Sequence, residues 1–290
     1  MIKTILVPSF GDEADSATCA AALAVARMFG AHLDVLHVRL DATGVAMAMA
    51  TDAGSGALTA GLIDRLQDDA REREARAHAI FQRFCDDAGL AVTATPDGAA
   101  GPSAEWRVET GEEPRWIATY GVAADLIVAS RERGDANALA RSILEAALLE
   151  TGRPLLIPAT AAPLPASIER VAIAWKAVPQ AARAVALAAP FIARAKEIIV
   201  LTVEEASDEQ PGEIDRLLRN FAWHGVAARK ERLSPGPAGA AATLLDAAAR
   251  ERADLLVMGG YGHNRLREWV FGGFTQRVLV DAPLPVLIAH

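Results

Sequence analysis

The feature that most limits what this chain can fold into is that it carries its own pattern twice. Asp125-Leu-Ile-Val128 returns as Asp254-Leu-Leu-Val257, and Pro154-Leu-Leu-Ile157 returns as Pro285-Val-Leu-Ile288. The connection between the two motifs is two residues longer in the second copy. Around them each half alternates short apolar runs with longer helical patterns. In the first half, Ile5–Val7, Leu33–Val38, Glu105–Val108, Asp125–Val128 and Pro154–Ile157 read as strands, and Ser16–Phe29, Leu58–Ala88, Pro114–Val122 and Asn137–Glu150 as helices. In the second, Arg170–Ala174, Glu197–Val203, Val226–Leu233, Asp254–Met258 and Pro285–Ile288 read as strands, with helices over Gln180–Arg194, Glu213–Trp223 and Gly239–Arg252. Residues 41–57 are small and flexible and suggest no element. The Pro/Ala-rich stretch 159–167 reads as a linker, which sets two tandem domains at 1–158 and 168–290. Strands separated by helices at this rhythm imply right-handed βαβ units, hence an α/β fold of two doubly wound parallel sheets with helices on both faces.

Length and composition allow that reading and exclude others. The 290 residues suffice for two domains of ordinary size, and 52% of them are hydrophobic, enough for two cores. A net charge of −8 supplies no general attraction for nucleic acid or an anionic membrane. Two cysteines, Cys19 and Cys85, have the spacing of neither a metal site nor a disulfide framework, and they fit a reducing compartment. The chain opens as a strand with no apolar signal region, and no run approaches a membrane span. A cytoplasmic location is expected.

One stretch carries the chemistry. After the apolar run Asp254–Met258 come Gly259, Gly260 and Gly262, then Gly272 and Gly273. Glycine lets the backbone approach a ligand and adopt positive φ. A glycine inside a helix costs about 1 kcal/mol relative to alanine. The pair at 272–273 is therefore expected to begin a helix through Gln276–Val280, not to interrupt one. A loop and a helix N-terminus with free N–H groups suit anionic oxygens, so the stretch reads as a phosphate cradle.

The strand followed by Gly259-x-x-Gly262, nine residues, Gly272 and a closing strand after Asp281-Ala-Pro-Leu-Pro-Val286 resembles the universal stress protein family. Arg170-Val-Ala-Ile-Ala-Trp-Lys-Ala177 and Lys3-Thr-Ile-Leu-Val-Pro8 share the likeness, which extends over both halves in the family's tandem form. The resemblance implies five-stranded parallel sheets of order 3-2-1-4-5, pairing of domains through their fifth strands, and binding of ATP (or ADP or AMP), with Mg²⁺ in attendance. It implies a nucleotide site of Gly259, Gly260, Gly262, His263, Arg265, Gly272, Gly273, Thr275, Lys176, Trp175 and Val203. In such a sheet the switch point lies between strands one and four, where ligands sit beyond the carboxyl ends. The sequence departs from the family at two of these positions. Gly273 stands where a hydroxyl is expected, with Thr275 the nearest one, and Lys176 stands where ATP-binding members carry an acid. In the first half the corresponding residues are Phe10 for Lys176, Ser130 for Gly259 and Arg141-Ser142 for Gly272-Gly273, so that copy is degenerate.

Each residue also has a plainer reading. The glycines suit an ordinary strand-to-helix loop, Arg265 and Arg267 a solvated helix surface, and His263 a local loop contact. Trp175 and Trp269 suit core packing and His37 a satisfied core position. Enzyme signatures are absent: there is no Walker A lysine motif, no complete dinucleotide fingerprint, no nucleophile elbow and no metal-spaced cluster. The expected function is adenine-nucleotide binding in the second domain, regulatory and without fast turnover. The alternatives are a nucleotide-free interaction protein and a slow ATPase or adenylyl-transfer enzyme. An internal pairing of fifth strands is expected, with a homodimer of chains beyond it.

Overall fold

Strands as apolar as those at Leu126, Leu155, Leu255 and Val286 have no polar face, so the sheet they form must be covered on both sides. The computed structural model, which describes residues 1–53, 59–96, 101–130, 137–159, 163–204, 212–260 and 273–290, has that arrangement. The first half runs β1 (Thr4–Ser9), α1 (Ala14–Phe29), β2 (His32–Arg39), α2 (Ala42–Ala53), α3 (Thr59–Ala88), β3 (Ala91–Val92), β4 (Ser103–Thr110), α4 (Glu113–Gly121), β5 (Leu126–Val128), α5 (Asn137–Leu149) and β6 (Leu155–Ile157). The second runs β7 (Arg170–Ala174), α6 (Pro179–Leu187), α7 (Ala189–Ile192), β8 (Glu197–Val203), α8 (Glu213–Trp223), β9 (Ala228–Leu233), α9 (Ala240–Arg250), β10 (Leu255–Gly259), α10 (Gly273–Asp281) and β11 (Val286–Ala289).

Among the described residues all strands join one 11-stranded sheet of order β3-β4-β2-β1-β5-β6-β11-β10-β7-β8-β9. Each half contributes the 3-2-1-4-5 order, with the two-residue β3 added at the first half's outer edge. Pairing within each half is parallel, and the halves meet where β6 and β11 run antiparallel, with Leu156 opposite Leu287. Two apolar layers result, and both cross the seam. One holds α1, α3, α6, α7 and α8 against Ile5, Val7, Ile173 and Val200. The other holds α4, α5, α9 and α10 against Leu6, Ile127, Leu256 and Ile288. On the first layer Phe29 meets Phe191 edge-on with centroids 5.2 Å apart, and the Arg194 guanidinium lies 4.7 Å over the Phe29 ring. Arg194 also donates to the Met28 carbonyl at 2.6 Å.

The repeated aspartate has a structural role that its recurrence alone does not state. Asp125 Oδ2 accepts the N–H groups of Lys3 and Thr4 at 2.7 and 3.1 Å. Asp254 Oδ2 accepts those of Glu169 and Arg170, both at 2.8 Å. Each carboxylate ties the entry of strand one to the entry of strand four, holding together the pair that flanks the switch point.

Three local expectations change. Residues 42–53 form α2 although the sequence suggests no element there; its Ala, Met, Thr and Gly residues give no polar-apolar alternation to detect. The helix expected over 180–194 divides into α6 and α7 at Ala188, two residues before Pro190, which has no N–H to continue the ladder. The brief β3 has no signal of its own. Because the halves share one sheet and two cores, Leu287→Ala should cost about 2–5 kcal/mol and lower a single cooperative transition. Denaturant unfolding followed in both halves checks this, and two separated transitions would contradict it.

Candidate functional site

The crevice at the switch point of the second half is built by the ends of β7 and β10. Ala174 pairs with Met258, after which the chains diverge into Trp175-Lys176 and Gly259-Gly260. Lys176 and Ala177 are exposed at the rim. Trp175 is half-buried on the sheet face shared with Ile173 and Phe191, so its indole packs into the core layer instead of forming an open platform. Its Nε1 is buried without a partner among the described residues. Val203, at the end of β8, is half-buried against the opposite layer. Gly273 begins α10, as the glycine-pair argument expects, and is open to solvent, whereas Thr275 is only 5% exposed and faces inward. Gly262, His263, Arg265 and Gly272 lie outside the described residues, as do Arg267 and Trp269.

Gly259 and Gly260 sit where packing leaves little room for a side chain. A Cβ on Gly259 would lie 2.6 Å from the Ala181 nitrogen and 2.7 Å from the Gln180 carbonyl carbon, inside the first turn of α6. A Cβ on Gly260 would lie 3.0 Å from Leu148 Cδ2 and 3.1 Å from Ile288 Cδ1. The sequence reading assigns these glycines to ligand approach. The structure shows that a helix and two core side chains approach them.

The first half shows what the same crevice looks like when it is filled. Ile5 pairs with Leu126 as Val171 pairs with Leu255, which makes Phe10, Gly11 and Asp15 the counterparts of Lys176, Ala177 and Ala181. Phe10 is buried where Lys176 is exposed. The Asp15 carboxylate, 2% exposed, accepts the Phe10 N–H at 2.8 Å, the Gly11 N–H at 2.7 Å and the Ser9 hydroxyl at 2.8 Å. Burial pushes this carboxyl above its ordinary range, and those hydrogen bonds pull it back. Helix α3 closes the turn from above, because a Cβ on Gly11 (φ +75°) would lie 2.6 Å from the Arg73 carbonyl oxygen. Arg73 in turn donates to Glu113 at 2.5 Å. Asp15 is absent from the residues singled out by sequence; its only signal is an acid in a first helical turn shortly after a strand, a common arrangement.

His37 lies beside this turn, fully buried and stacked on Trp106 at 5.8 Å. Its Nδ1 donates to the Ser9 carbonyl at 2.9 Å, while Nε2 has no partner among the described residues. The sequence reading of a satisfied core histidine thus holds for one nitrogen only. Burial pushes its pKa below the ordinary value, against the Ser9 hydrogen bond. Elsewhere His32, Asp34 and Glu105 have the proximity of a metal triad, but Arg107 bridges the two acids at 3.0 and 2.5 Å and already supplies their counter-charge. No helix among the described residues is long and apolar enough to cross a membrane.

Comparison with known proteins agrees with this fold. Residues 167–290 match the universal stress protein family model. Among solved structures the chain is similar to a universal stress protein from Archaeoglobus fulgidus DSM 4304, with a TM-score of 0.67 and 16% identity over 99% of this chain and 95% of that one. It is also similar to a protein described as a putative universal stress protein from Pseudomonas aeruginosa, with a TM-score of 0.57 and 16% identity over 99% and 93% of the two chains. At such identities the shared property is the fold. No curated protein matches the sequence.

Two predictions follow from the packing. Gly259→Ala should cost about 1–3 kcal/mol through the clash with α6, while Gly273→Ala, with nothing within 4 Å of the added carbon, should change the thermal midpoint little. Equal melting shifts would refute the packing account of Gly259. His37 should make stability pH-dependent. Its folded pKa lies below the unfolded value of about 6.5, so unfolding takes up a proton and stability falls as pH drops through that value. Urea midpoints at pH 7 and pH 5 should therefore separate more in the wild type than in His37→Leu.

Proposed function

We propose that this chain, whose residues 167–290 belong to the universal stress protein family, binds an adenine nucleotide in the crevice of its second half and acts as a regulator without fast turnover. The ligand is ATP, or ADP or AMP, with Mg²⁺ accompanying the triphosphate. The observation that carries this reading is the contrast between the two crevices. In the first half the turn after strand one is filled by Phe10, capped by Asp15 and closed by α3. In the second the same turn ends in exposed Lys176 and Ala177, and Ala181 takes the place of the capping acid.

In this reading the domains divide the work. Domain 168–290 holds the nucleotide between the ends of β7 and β10, with Lys176 facing phosphate oxygens, Val203 walling the base side, Trp175 supporting the floor, and the loop from Gly259 and Gly260 through Gly262, His263, Arg265 and Gly272 to Gly273 around the phosphates. Thr275, being buried, supports α10 from within. Domain 1–158 is the structural partner, and the assembled chain can pair with a second copy as a homodimer in the cytoplasm. Occupancy biases conformation or partner choice. Slow ATP hydrolysis is compatible with this role, because binding a nucleotide tightly and hydrolysing it fast are separate demands.

A nucleotide-free interaction protein is the second reading. It is favoured by Gly259 and Gly260, each of which has a packing reason to be glycine. Calorimetry with ATP and Mg²⁺ separates the two: binding below the millimolar range supports the nucleotide site, and no heat supports the second reading. Lys176→Ala should weaken ATP about tenfold or more, in keeping with the loss of a charge-assisted hydrogen bond, and leave adenosine unchanged. Ala181→Asp should weaken ATP similarly by installing the acid that caps the first half. Unaltered affinity in both variants would place the ligand elsewhere. A turnover assay tests the regulatory reading, which fast hydrolysis would overturn.

A further inference from the structure

Like charges directly opposite each other on neighbouring strands repel and destabilise a sheet. Asp34 of β2 and Glu105 of β4 stand in that relation, at the end of the strands opposite the crevice. His32, two residues before Asp34, lies on the same face of β2. The three half-buried side chains bring one ligand atom each to within 4.8 Å of one another. Ser103 Oγ is hydrogen-bonded to His32 Nδ1 at 2.8 Å, and Nε2 lies 3.8 Å from Asp34 Oδ1. With Nδ1–H donating to the hydroxyl, Nε2 and Oδ1 direct lone pairs toward each other. Donors that share one ion at ~2.0–2.2 Å lie roughly 3–4 Å apart, so this is the spacing of two metal ligands.

Arg107 lies between the two acids, with Nε 3.0 Å from Asp34 and a terminal nitrogen 2.5 Å from Glu105. It is one cation against three carboxylates, because Glu109 follows on the same face of β4 and accepts the Tyr120 hydroxyl at 2.6 Å. The Arg107 guanidinium is also 5.7 Å from the Tyr120 ring, so Glu109 and that ring offer it a second seat. The duplicate half shows that the fold does not require the set. Leu33 is opposite Ile5 and Ala104 opposite Leu33, as Ile198 is opposite Val171 and Ala228 opposite Ile198. The counterparts of His32, Asp34 and Glu105 are therefore Glu197, Ile199 and Arg229. There Ile199 is fully buried, and Arg229 donates to Glu197 at 3.1 Å. We infer that His32, Asp34 and Glu105 form a site for a divalent transition-metal ion, with Zn²⁺ favoured over Mg²⁺ by the imidazole and with Arg107 as the competing cation. The ion takes His32 Nε2 and an oxygen from each acid, leaves a fourth position to water, and ties β2 to β4. Ser103 orients the imidazole, and Arg107 turns to Glu109. This site is independent of any nucleotide.

The test titrates Zn²⁺ into full-length protein pretreated with a chelator, with a chromogenic chelator as competitor. The wild type should bind an ion that a large excess of Mg²⁺ does not displace. His32→Gln and Glu105→Gln should each weaken binding about tenfold or more. Arg107→Met, which removes the competing cation, should tighten it about threefold or more. His78→Gln, which alters a histidine of α3 beside Trp106, should leave it unchanged. Melting curves give a second readout: Zn²⁺ should raise the thermal midpoint of the wild type and not that of His32→Gln. If either site variant does not fold, Asp34→Asn takes its place. Equal affinity in the wild type and the site variants would overturn the proposal, as would displacement by Mg²⁺ or no binding of Zn²⁺ at all. Weaker binding in Arg107→Met would overturn the competition between arginine and metal.

Discussion

The structure depends on one pairing, that of β6 with β11. Leu156 stands opposite Leu287, its own counterpart in the repeat, and Leu155 and Ile157 stand opposite the counterparts of each other. An approximate two-fold axis therefore passes through the Leu156/Leu287 pair, as it would in an isologous dimer of separate chains. A parallel sheet that ended at either strand alone would expose an apolar edge ready to pair with anything extended. Antiparallel pairing of the two copies covers both edges at once. It also lets each apolar layer run unbroken from one half into the other.

That continuity alters what the first half contributes. Its crevice is occupied by Phe10, its strand-one turn is satisfied by Asp15, and its glycine positions are Ser130, Arg141 and Ser142. What it keeps is the part that the seam requires. Asp125 still ties two strand entries together, and Leu155–Ile157 still pair with β11. A second copy of the domain from another chain would do the same covering, but only at sufficient concentration. Tethering makes the pairing intramolecular and independent of it.

The fold was legible in the sequence because its determinants are local or repeated. Apolar runs bounded by turn residues marked every strand except the two-residue β3, and the recurrence of Asp-Leu-x-Val and Pro-x-Leu-Ile revealed the duplication. Helix α2 was not legible, since Ala, Met and Thr without a charged face carry no periodic signal. The sequence names a candidate crevice but not the packing around it. Glycines at 259 and 260 read as places for a ligand to approach, yet what approaches them comes from α6, α5 and β11. Asp15 carries no distinctive sequence signal, because an acid in a first helical turn is ordinary; its importance comes from the three donors that the fold turns toward it. Contacts between residues distant in sequence, such as Gly260 with Leu148, leave no trace in local pattern.

The two crevices also show why filling one need not harm the molecule. A turn after strand one leaves N–H groups at the sheet's carboxyl end that require an acceptor. Either a ligand oxygen or a side chain can supply it. In the first half Ser9, Phe10 and Gly11 all direct their donors to Asp15, so the turn is satisfied without a ligand, and Phe10 joins the core layer. At the equivalent place in the second half an alanine packs beneath Gly259, and Lys176 is exposed. A buried acid stabilises the turn in the absence of ligand. Ala181, at the place of that acid, has no side-chain acceptor to offer. Within one sheet the chain combines both arrangements, a turn closed by its own acid and a turn without one.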